Sequence, residues 1–422
     1  MFAANGKQCS CKLLFQFQHK LKQVARACSL QVKPIATGIE ERPDEQFEES
    51  DSEYTFRYAD LTTKLAEPHQ LRAKPDVSDL KFGHIFSDHM LKIFYHNKLG
   101  GWQKPVIIPF ENISLHPAAK VLHYATELFE GLKSYRGVDG KIRLFRPDLN
   151  MARMNRSAMS SGLPTFDGSE LTRCINRLIQ VDQEWVPHGT GNSLYVRPTL
   201  IGIDGTLGVQ KCDSALLYVI VCPVGSYFDT KNKGAGAVSL YADPAYTRAW
   251  PGGCGDRKMG SNYGPTIRVQ VEATQRGRQQ VLWLYGPQHE LTEVGTMNIF
   301  VFYENELGEK VLCTPPLNGL ILPGVIRQSI IQMCEQWREF RVEQRTITMA
   351  EVVSLVDKGR LLEMFGSGTA CIVSPIASIE YMDRLLEIPT IEHSKPLYKR
   401  VLDELTAIQY GQIDHPWAPT ID

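Results

Sequence analysis

Apolar residues along the chain alternate or recur at helical spacing, in short segments separated by turns, from about Asp88 onward. The run from His89 to Tyr95, the turn Asn-Lys-Leu-Gly-Gly and the run Pro-Val-Ile-Ile-Pro predict a pair of strands. Two further buried strands are predicted over 193–203 and 215–224. Helices are predicted over 125–132, 147–160 and 171–183, the second opening at a proline-aspartate start. The first half of the chain is therefore predicted to be an α+β unit.

A polar, glycine-rich segment then predicts a hinge over 226–236, between a domain at 81–225 and another at 237–422. The second half predicts a strand at 238–241, a glycine-rich loop and a helix at 265–278. It also predicts two neighbouring strands at 281–285 and 299–303, and a helix at 325–337 that follows Pro323-Gly324. The fold class expected from this order of elements is α/β (α+β) with two domains.

The N-terminal segment has a different composition. Residues 1–39 contain no acidic side chain but several lysines, with apolar residues at helical spacing opposite them. This composition predicts a mitochondrial transit peptide and hence the matrix, with a disordered basic tail and a cytoplasmic protein as the alternative. Residues 40–80 begin with an acidic, proline-containing stretch that predicts a linker or N-terminal extension.

Charge and cysteine usage exclude several classes of function. The 46 basic and 47 acidic side chains nearly cancel, so electrostatics give no reason to expect nucleic acid as a partner. No apolar stretch is long enough to predict membrane insertion. The ten cysteines lack the spacing of a zinc site or a disulfide framework, so no metal is predicted and reduced thiols are expected.

The most informative residue is Lys258, which lies in Gly-Gly-Cys-Gly-Asp-Arg-Lys258-Met-Gly-Ser-Asn-Tyr263. Glycines let the backbone approach a bound group, and a lysine in such a niche can act as an amine nucleophile. Glu293 follows in Leu-Thr-Glu293-Val-Gly-Thr, at the start of an apolar run. A lysine for an aldehyde, a tyrosine for a phenol oxygen and a glutamate for a ring nitrogen are what a pyridoxal phosphate site requires. On spacing alone, Glu293 is equally well a surface ion pair and Tyr263 a packing aromatic.

Together with Phe129-Glu-Gly-Leu-Lys, Ser-Leu-Tyr195-Val-Arg197-Pro, Leu-Pro-Gly324-Val-Ile-Arg and Gly-Ser-Gly-Thr369-Ala370-Cys371, these motifs resemble the branched-chain amino acid aminotransferases. The resemblance runs from about Phe82 to the C-terminus, with the motifs in the same order. It implies a class IV aminotransferase of fold-type IV, in which a smaller N-terminal and a larger C-terminal domain enclose pyridoxal 5'-phosphate.

The resemblance implies that Lys258 is the catalytic lysine and carries the cofactor. It assigns Tyr263 to the cofactor's phenolate oxygen, Glu293 to the pyridine nitrogen and Arg248 to the cofactor side of the site. The phosphate is assigned to the backbone of Val325 and Ile326, to the Thr369 hydroxyl and to Arg153. A helix N-terminus at Gly324 is by itself a favourable phosphate site. Without the resemblance, spacing indicates that Arg153 is a charge on a helix surface.

The resemblance also implies a substrate site. The residues assigned to it are Phe82, Tyr124, Phe129, Tyr195, Arg197, Leu207, Val209, Tyr227, Thr296, Ala370 and Cys371. Arg197 would neutralise the second carboxylate of glutamate, and backbone N–H groups near Ala370 and Cys371 would bind the α-carboxylate. Leu207 and Val209 would come from a second subunit, so a homodimer is implied. The alternative for each aromatic residue is a place in the core.

The implied function is transamination of L-leucine, L-isoleucine and L-valine with 2-oxoglutarate, giving branched-chain 2-oxo acids and L-glutamate through pyridoxamine phosphate in two half-reactions. A D-amino acid aminotransferase, an aminodeoxychorismate lyase and a catalytically inactive scaffold protein are the alternatives. Mammalian relatives carry Cys-x-x-Cys after the Gly-Thr-Ala turn, whereas this chain has Cys371-Ile-Val-Ser374. A disulfide needs both sulfurs, so this redox switch is expected to be absent.

Overall fold

A computed structural model describes residues 55–225, 236–392 and 394–421. The predicted transit peptide, part of the predicted linker, nearly all of the predicted hinge and Tyr227 lie outside these residues. The described chain is built on two sheets, one formed before residue 226 and the other after residue 236. The domain boundary predicted between them stays a prediction.

The first sheet is formed by the strands of the N-terminal half. They are β1 (Thr62–Thr63), β2 (His89–His96), β3 (Gly101–Trp102), β4 (Val106–Pro109), β5 (Glu127–Phe129), β6 (Leu132–Arg136), β7 (Ile142–Leu144), β8 (Ser193–Gly202) and β9 (Ser214–Val224). Their order is β1-β4-β2-β9-β8-β6-β7, with β3 paired to β2 and β5 paired to β8. The predicted strand pair is confirmed, because β2 and β4 pair antiparallel. The two buried strands predicted further on are also confirmed, as β8 and β9.

Three α-helices accompany this sheet in the described residues. They are α1 (Lys120–Tyr124), α2 (Pro147–Ser160) and α3 (Gly168–Val181). The helix predicted at 147–160 is confirmed as α2. The next helix begins earlier than predicted, because the Asp167 side chain caps it by accepting from the N–H groups of Ser169 and Glu170.

The prediction of a helix over 125–132 is wrong. α1 ends at Tyr124, and Ala125 adopts the left-handed region with φ 47°. The chain then continues as β5 and β6, which pair with β8. The segment has good helix-forming residues, but burial against β8 favours the extended conformation over this weak local preference.

The strands of the C-terminal half form the second sheet. They are β10 (Val238–Ala242), β11 (Gln280–Tyr285), β12 (Glu290–Val294), β13 (Met297–Glu304), β14 (Lys310–Thr314), β15 (Arg341–Gln344), β16 (Leu361–Gly368), β17 (Ile372–Tyr381) and β18 (Arg384–Glu387). Their order is β12-β11-β10-β17-β16-β13-β14-β15, with β18 on β17. A further pairing between β12 and β13 joins β10, β11, β12, β13, β16 and β17 into a closed ring.

The strands predicted at 281–285 and 299–303 form, but the prediction that they are neighbours is wrong. β12 lies between β11 and β13 and pairs with both. Its sequence, Glu-Leu-Thr-Glu-Val, lacks the apolar pattern of a buried strand. The Thr292 hydroxyl is satisfied by the carbonyl of Trp283, and Glu293 belongs to the site described below.

The helices of this half are α4 (Thr266–Gln275), α5 (Val325–Trp337), α6 (Met349–Asp357) and α7 (Leu397–Gln409). α5 confirms its prediction, and α4 is shorter at both ends than predicted. Short 3-10 helices occur at Tyr58–Asp60, Pro68–Gln70, Val77–Asp79, Asn97–Leu99, Gln183–Trp185, Gly260–Asn262 and Pro389–Ile391. No helix in the described ranges has the length and apolar character that a membrane crossing needs.

One apolar cluster joins the two halves. It contains Tyr135 and Phe145 from the first half together with Phe300, Phe365 and Ile330 from the second. This shared core fixes β6 against the strands and helices of the second half, and the candidate site lies along the same seam.

Candidate active site

Lys258 is held by two backbone contacts with the first half of the chain. Its N–H donates to the Ser157 hydroxyl at 3.0 Å, and its carbonyl accepts from the N–H of Phe129 at 3.1 Å. The first contact comes from α2 and the second from β5, so the glycine-rich loop is fixed to the first half. The side-chain amine then lies 3.2 Å from the phenol oxygen of Tyr263 and 4.8 Å from the centre of the Phe129 ring.

Glu293 lies on β12 and is buried, with 4% of its surface exposed. One carboxyl oxygen accepts from the N–H of Leu322 at 2.8 Å, and the other lies 3.4 Å from Nε of Arg248. Burial raises the pKa of this carboxyl, and the positive charges of Arg248 and Lys258 oppose that rise. Glu293 is thus a buried carboxyl and not part of a surface ion pair, while its role beside the cofactor stays a prediction.

Arg248 is oriented by the second half of the chain. Its Nη2 donates to the carbonyls of Leu320 at 2.6 Å and Gly255 at 3.2 Å. Its Nε is buried and has no hydrogen-bond partner among the described residues. Its ionic partner is the Glu293 carboxyl at 3.4 Å, so the buried charge is paired.

The N-terminus of α5 lies beside these residues. Gly324 precedes the helix and no side chain caps it, so the first N–H groups have no acceptor within the helix. A Cβ atom at Gly324 would meet Oδ1 of Asn298 at 2.0 Å, so this close approach requires glycine. Arg153 reaches the same place, because its Nη1 donates to the carbonyl of Pro323 at 2.9 Å. Val325, Ile326, Arg153 and Gly324 together offer the N–H donors and positive charge that an anion site requires.

Glu130 orients Arg153 and was missed by sequence reasoning. The pair is bidentate, with Nε to Oε1 at 2.7 Å and Nη2 to Oε2 at 2.8 Å. Asn150 donates to the same carboxylate at 2.8 Å. Burial opposes ionisation of Glu130, but Arg153 and Lys258 hold its pKa below the ordinary value. Arg153 is therefore a buried, fixed charge and not a charge on a helix surface. The signal for Glu130 was its place next to Phe129 in the Phe-Glu-Gly-Leu-Lys motif.

The turn between β16 and β17 carries Thr369, Ala370 and Cys371. The Thr369 hydroxyl donates to the carbonyl of Gly131 at 3.3 Å, and the ammonium of Lys133 donates to the carbonyl of Ala370 at 2.7 Å. Both contacts join the turn to the segment that leads into β6. Sequence reasoning did not identify Lys133.

The environment of the half-buried Cys371 disfavours its thiolate. Its thiol contacts the Met297 sulfur at 3.2 Å, and burial raises its pKa to about 12 although Lys133 lowers it. Ser374, in the position of the second thiol, is fully buried, and its hydroxyl has no partner among the described residues.

Aromatic rings line the side of the site formed by the first sheet. Phe82 packs against Tyr195 with ring centres 4.8 Å apart, and Phe129 packs against Tyr263 at 4.9 Å. Arg197 joins the two pairs, since its guanidinium lies 4.5 Å from the Phe129 ring and donates to the Tyr195 hydroxyl at 2.9 Å. The structure therefore brings these predicted substrate residues together with Lys258.

Other predicted substrate residues lie at the surface. Leu207 is 62% exposed and Val209 is 83% exposed. The Tyr124 hydroxyl donates to the carbonyl of Leu207, which ties α1 to the 204–211 loop. Buried Lys120 supports the same loop by donating to the carbonyls of residues 210 and 211 at 3.1 Å. Thr296 is exposed in the turn between β12 and β13.

These residues fit a pyridoxal phosphate group. The site offers an amine, a phenol beside it, a buried carboxyl, and a helix N-terminus paired with an arginine. Each matches one functional group of the cofactor: aldehyde, phenolate, ring nitrogen and phosphate. The arrangement defines a pyridoxal phosphate-dependent transferase.

Comparison with known proteins agrees with this class. The amino-transferase class IV family model matches residues 127–379. The chain is 55% identical to the cytosolic branched-chain-amino-acid aminotransferase of Rattus norvegicus, covering 86% of this chain and 87% of that protein. It is 54% identical to the mitochondrial enzyme of Mus musculus, covering 86% and 91%.

Solved structures share the fold. The branched-chain amino acid aminotransferase of Escherichia coli has a TM-score of 0.60 at 22% identity, covering 78% of this chain and 99% of that one. The enzyme of Thermobaculum terrenum in its PLP form has a TM-score of 0.60 at 19% identity, covering 79% and 98%. The chain belongs to the class IV aminotransferases and, within them, to the pyridoxal phosphate-dependent branched-chain-amino-acid aminotransferases. The predicted fold class and family are confirmed.

Proposed function

We propose that this site transfers the amino group of L-leucine, L-isoleucine or L-valine to 2-oxoglutarate, with Lys258 as the catalytic residue. The observation that carries the proposal is the 3.2 Å contact between the Lys258 amine and the Tyr263 phenol, within a site that also contains Glu293 and Arg153. Aromatic side chains beside this amine favour an aliphatic substrate over a polar one.

The cofactor-binding residues are proposed to be Lys258, Tyr263, Glu293, Arg153, Arg248, Val325, Ile326 and Thr369. Lys258 would hold the aldehyde carbon, Tyr263 would donate to the phenolate oxygen and Glu293 would accept from the protonated ring nitrogen. The α5 N-terminus, Arg153 and the Thr369 hydroxyl would hold the phosphate, and Arg248 pairs with Glu293. When bound, pyridoxal phosphate supplies an electron sink for the bond that is broken at the substrate's α-carbon.

Lys258 has a second role as general acid and base. Once displaced by the substrate's amine, the free Lys258 amine would take the proton from the substrate's α-carbon and deliver it to the carbon that had carried the cofactor's aldehyde. Tyr263 is placed to orient that amine, because the two side chains are already within hydrogen-bond distance. Burial raises the pKa of the Glu293 carboxyl, and the neighbouring Arg248 opposes that rise. A protonated ring nitrogen beside this carboxyl would likewise favour its charged form, so the two groups suit each other.

In the proposed substrate pocket, side chains of the first half and of the β12–β13 turn surround the aliphatic side chain of the substrate. They are Phe82, Phe129, Tyr195, Tyr124 and Thr296. Tyr227, which lies outside the described residues, is proposed to belong to the same pocket. Backbone N–H groups near Ala370 and Cys371, with Tyr124, receive the α-carboxylate. Arg197 receives the second carboxylate of glutamate, and its buried Nε has no partner among the described residues. The partner substrates are therefore amino acids and their 2-oxo acids.

A homodimer is also proposed. Leu207 and Val209 are exposed apolar residues on a loop that Lys120 and Tyr124 hold in place. Such a fixed apolar loop is suited to insertion into the site of a second copy. Sedimentation analysis of the wild type and of Val209→Asp measures this: the proposal requires a dimer that the substitution weakens.

For location in the cell, the relatives include both cytosolic and mitochondrial enzymes. The basic, acid-free composition of residues 1–39 supports import into the mitochondrial matrix, with the cytoplasm as the alternative. Fusing residues 1–39 to a fluorescent protein tests this, and a diffuse cytoplasmic signal would contradict it.

The function itself is tested with a panel of amino donors. Wild-type protein loaded with pyridoxal phosphate is mixed with L-leucine, L-isoleucine, L-valine or D-alanine and 2-oxoglutarate, and glutamate formation is measured. The proposal requires activity with the three L-amino acids. Activity with D-alanine alone would instead identify a D-amino acid aminotransferase, and no activity with any donor would favour an inactive homologue.

A further inference from the structure

Lys133 is a buried cation placed at the edge of the candidate site. It is 7% exposed, and the structure pairs it with no carboxylate among the described residues. Its ammonium donates to a neutral group, the carbonyl of Ala370, at 2.7 Å. Burying a charge without a counterion is costly, so a lysine with a purely structural role is expected to be replaced easily by a neutral residue.

The strand register turns Lys133 toward the candidate site. Lys133 is directly opposite Tyr195 in the antiparallel pair of β6 and β8, so the two side chains leave the sheet on the same face. Arg197, two residues further along β8, lies on that face as well. The same face therefore carries two cations, and Tyr195 lies between them in the sheet.

The contact with Ala370 acts on one peptide group. The carbonyl of Ala370 and the N–H of Cys371 belong to the same planar amide. A cation that donates to the oxygen draws electron density from the nitrogen and makes its N–H a stronger donor, because hydrogen bonds in series polarise one another. Since the peptide is trans, this N–H points away from Lys133.

The turn that contains this peptide depends on external support. Ile372, the next residue, has φ 62°, a left-handed conformation that β-branched residues rarely adopt. Such a conformation persists only where neighbouring contacts hold it. The β16–β17 pairing closes the turn at Gly368 and Ile372. Two contacts from the first half add to this support, from Lys133 to Ala370 and from Thr369 to the carbonyl of Gly131.

We propose that Lys133 is a positioning residue for carboxylate recognition: its ammonium fixes and polarises the Ala370–Cys371 peptide, whose N–H receives the substrate's α-carboxylate. This inference rests on the proposed function, which places the α-carboxylate at that turn. Lys133 thus supplies positive charge to the carboxylate through an amide, without touching the substrate. This role also explains why a lysine is buried here without a counterion.

The test compares two ligands that differ in the carboxylate alone. The probes are 4-methylvalerate and its neutral analogue 4-methylpentanamide, and their dissociation constants are measured from the cofactor's absorption band in the loaded wild-type protein and in Lys133→Met. We expect Lys133→Met to weaken binding of the acid about tenfold and to leave the amide within about twofold, as for loss of one charge-assisted hydrogen bond. Lys133→Arg, which keeps the charge, is expected to recover most of the preference for the acid.

Kinetics give a second readout. In Lys133→Met, KM for L-leucine is expected to rise about tenfold with a smaller change in kcat, because the lost contact acts on binding. Lys141→Met is the matched control, since Lys141 is exposed beyond the end of β6. If Lys133→Met does not fold, Lys133→Gln, which is neutral but can still donate, is measured in its place.

The outcomes separate the two proposals. Wild-type protein that does not act on L-leucine overturns the proposed function. Wild-type activity on leucine, with equal loss of acid and amide binding in Lys133→Met or with no loss of either, overturns the role of Lys133 alone. A selective loss for the acid that Lys133→Arg reverses supports it.

Discussion

Glu130 and Arg153 form a bidentate ion pair that is buried beside the N-terminus of α5. Arg153 uses two of its nitrogens for the carboxylate and a third for the carbonyl of Pro323. The guanidinium is therefore fixed before any phosphate arrives. This pre-organisation lowers the cost of ordering the side chain on binding.

Glu130→Gln is expected to lower both stability and cofactor affinity. Removing one member of a buried ion pair leaves the other charge uncompensated, which costs about 3–5 kcal/mol. Urea unfolding and titration with pyridoxal phosphate measure the two effects. Lys92→Met, at an ion pair whose partner Glu111 is exposed, is the control and is expected to change stability by less than about 1 kcal/mol.

The same pair predicts a loss of stability in acid. The pKa of Glu130 is lowered from 4.5 in the folded protein, so the unfolded chain binds its proton first as the pH falls. The contribution of Glu130 is present above pH 4.5 and is lost as the pH falls toward the lowered pKa. Thermal unfolding of the wild type and Glu130→Gln between about pH 3 and pH 7 should converge at low pH. A gap that stays constant would contradict this account.

The lowered pKa of Lys133 predicts a gain of stability in base. Burial lowers its pKa from 10.5 to about 8, although Cys371 opposes this. Between these values the unfolded chain holds a proton that the folded protein has released, so the contribution of Lys133 to stability rises with pH. The rise is at most about 3 kcal/mol. The free energy of unfolding is measured for wild type and Lys133→Met from about pH 7 to pH 10. The difference between them should change by up to this amount, in favour of the wild type, as the pH rises. A difference in free energy of unfolding that does not change with pH would contradict the lowered pKa of Lys133.

Gly324→Ala is expected to weaken phosphate binding. Its Cβ would meet Oδ1 of Asn298 at 2.0 Å, so the start of α5 must move. We expect the dissociation constant for pyridoxal phosphate to rise about tenfold or more, since N–H groups must be aligned to hold an anion. The matched control is Gly264→Ala, where a Cβ would meet no atom within 4 Å. Recovery in Gly324→Ala with Asn298→Ala would show that the collision is the cause.

Cys371 is expected to be a poor redox sensor. Its pKa of about 12 leaves almost no thiolate at neutral pH, and Ser374 offers no second sulfur. Mild peroxide is expected to leave activity unchanged, as measured by leucine turnover before and after treatment. Inactivation that dithiothreitol reverses, with a disulfide at Cys371 found by mass spectrometry, would contradict this expectation.

The local pattern of apolar residues predicted the helices and strands with strong periodicity. It failed where tertiary contacts determine the secondary structure. The helix at Pro147–Ser160 has a proline-aspartate start and helical spacing, so its bounds are readable in the sequence. The segment 125–132 has helix-forming residues, but Ala125 and the pairing with β8 make it extended. β12 was not predicted because its buried polar residues lack the apolar pattern that is typical of a buried strand.

The candidate site was readable mainly where its motifs are ordered and specific. Lys258, Tyr263 and Glu293 come together as the motif order implied. Glu130 and Lys133 were missed because their roles depend on partners distant in the chain. Lys133 and Ala370, for example, are separated by 237 positions. The motif Phe129-Glu-Gly-Leu-Lys contains both Glu130 and Lys133, but nothing in it indicates their partners.

The central claim is that Lys258 moves an amino group from a branched-chain amino acid within this site. The most direct measurement is the visible absorption spectrum of the purified, cofactor-loaded protein before and after addition of L-leucine without any oxo acid. The account predicts that leucine converts the cofactor band to that of the pyridoxamine form, and that Lys258→Ala lowers the rate of this conversion by about 10³-fold or more. A bound cofactor whose spectrum ignores leucine, isoleucine and valine, or a Lys258→Ala variant that reacts as fast as wild type, would contradict it.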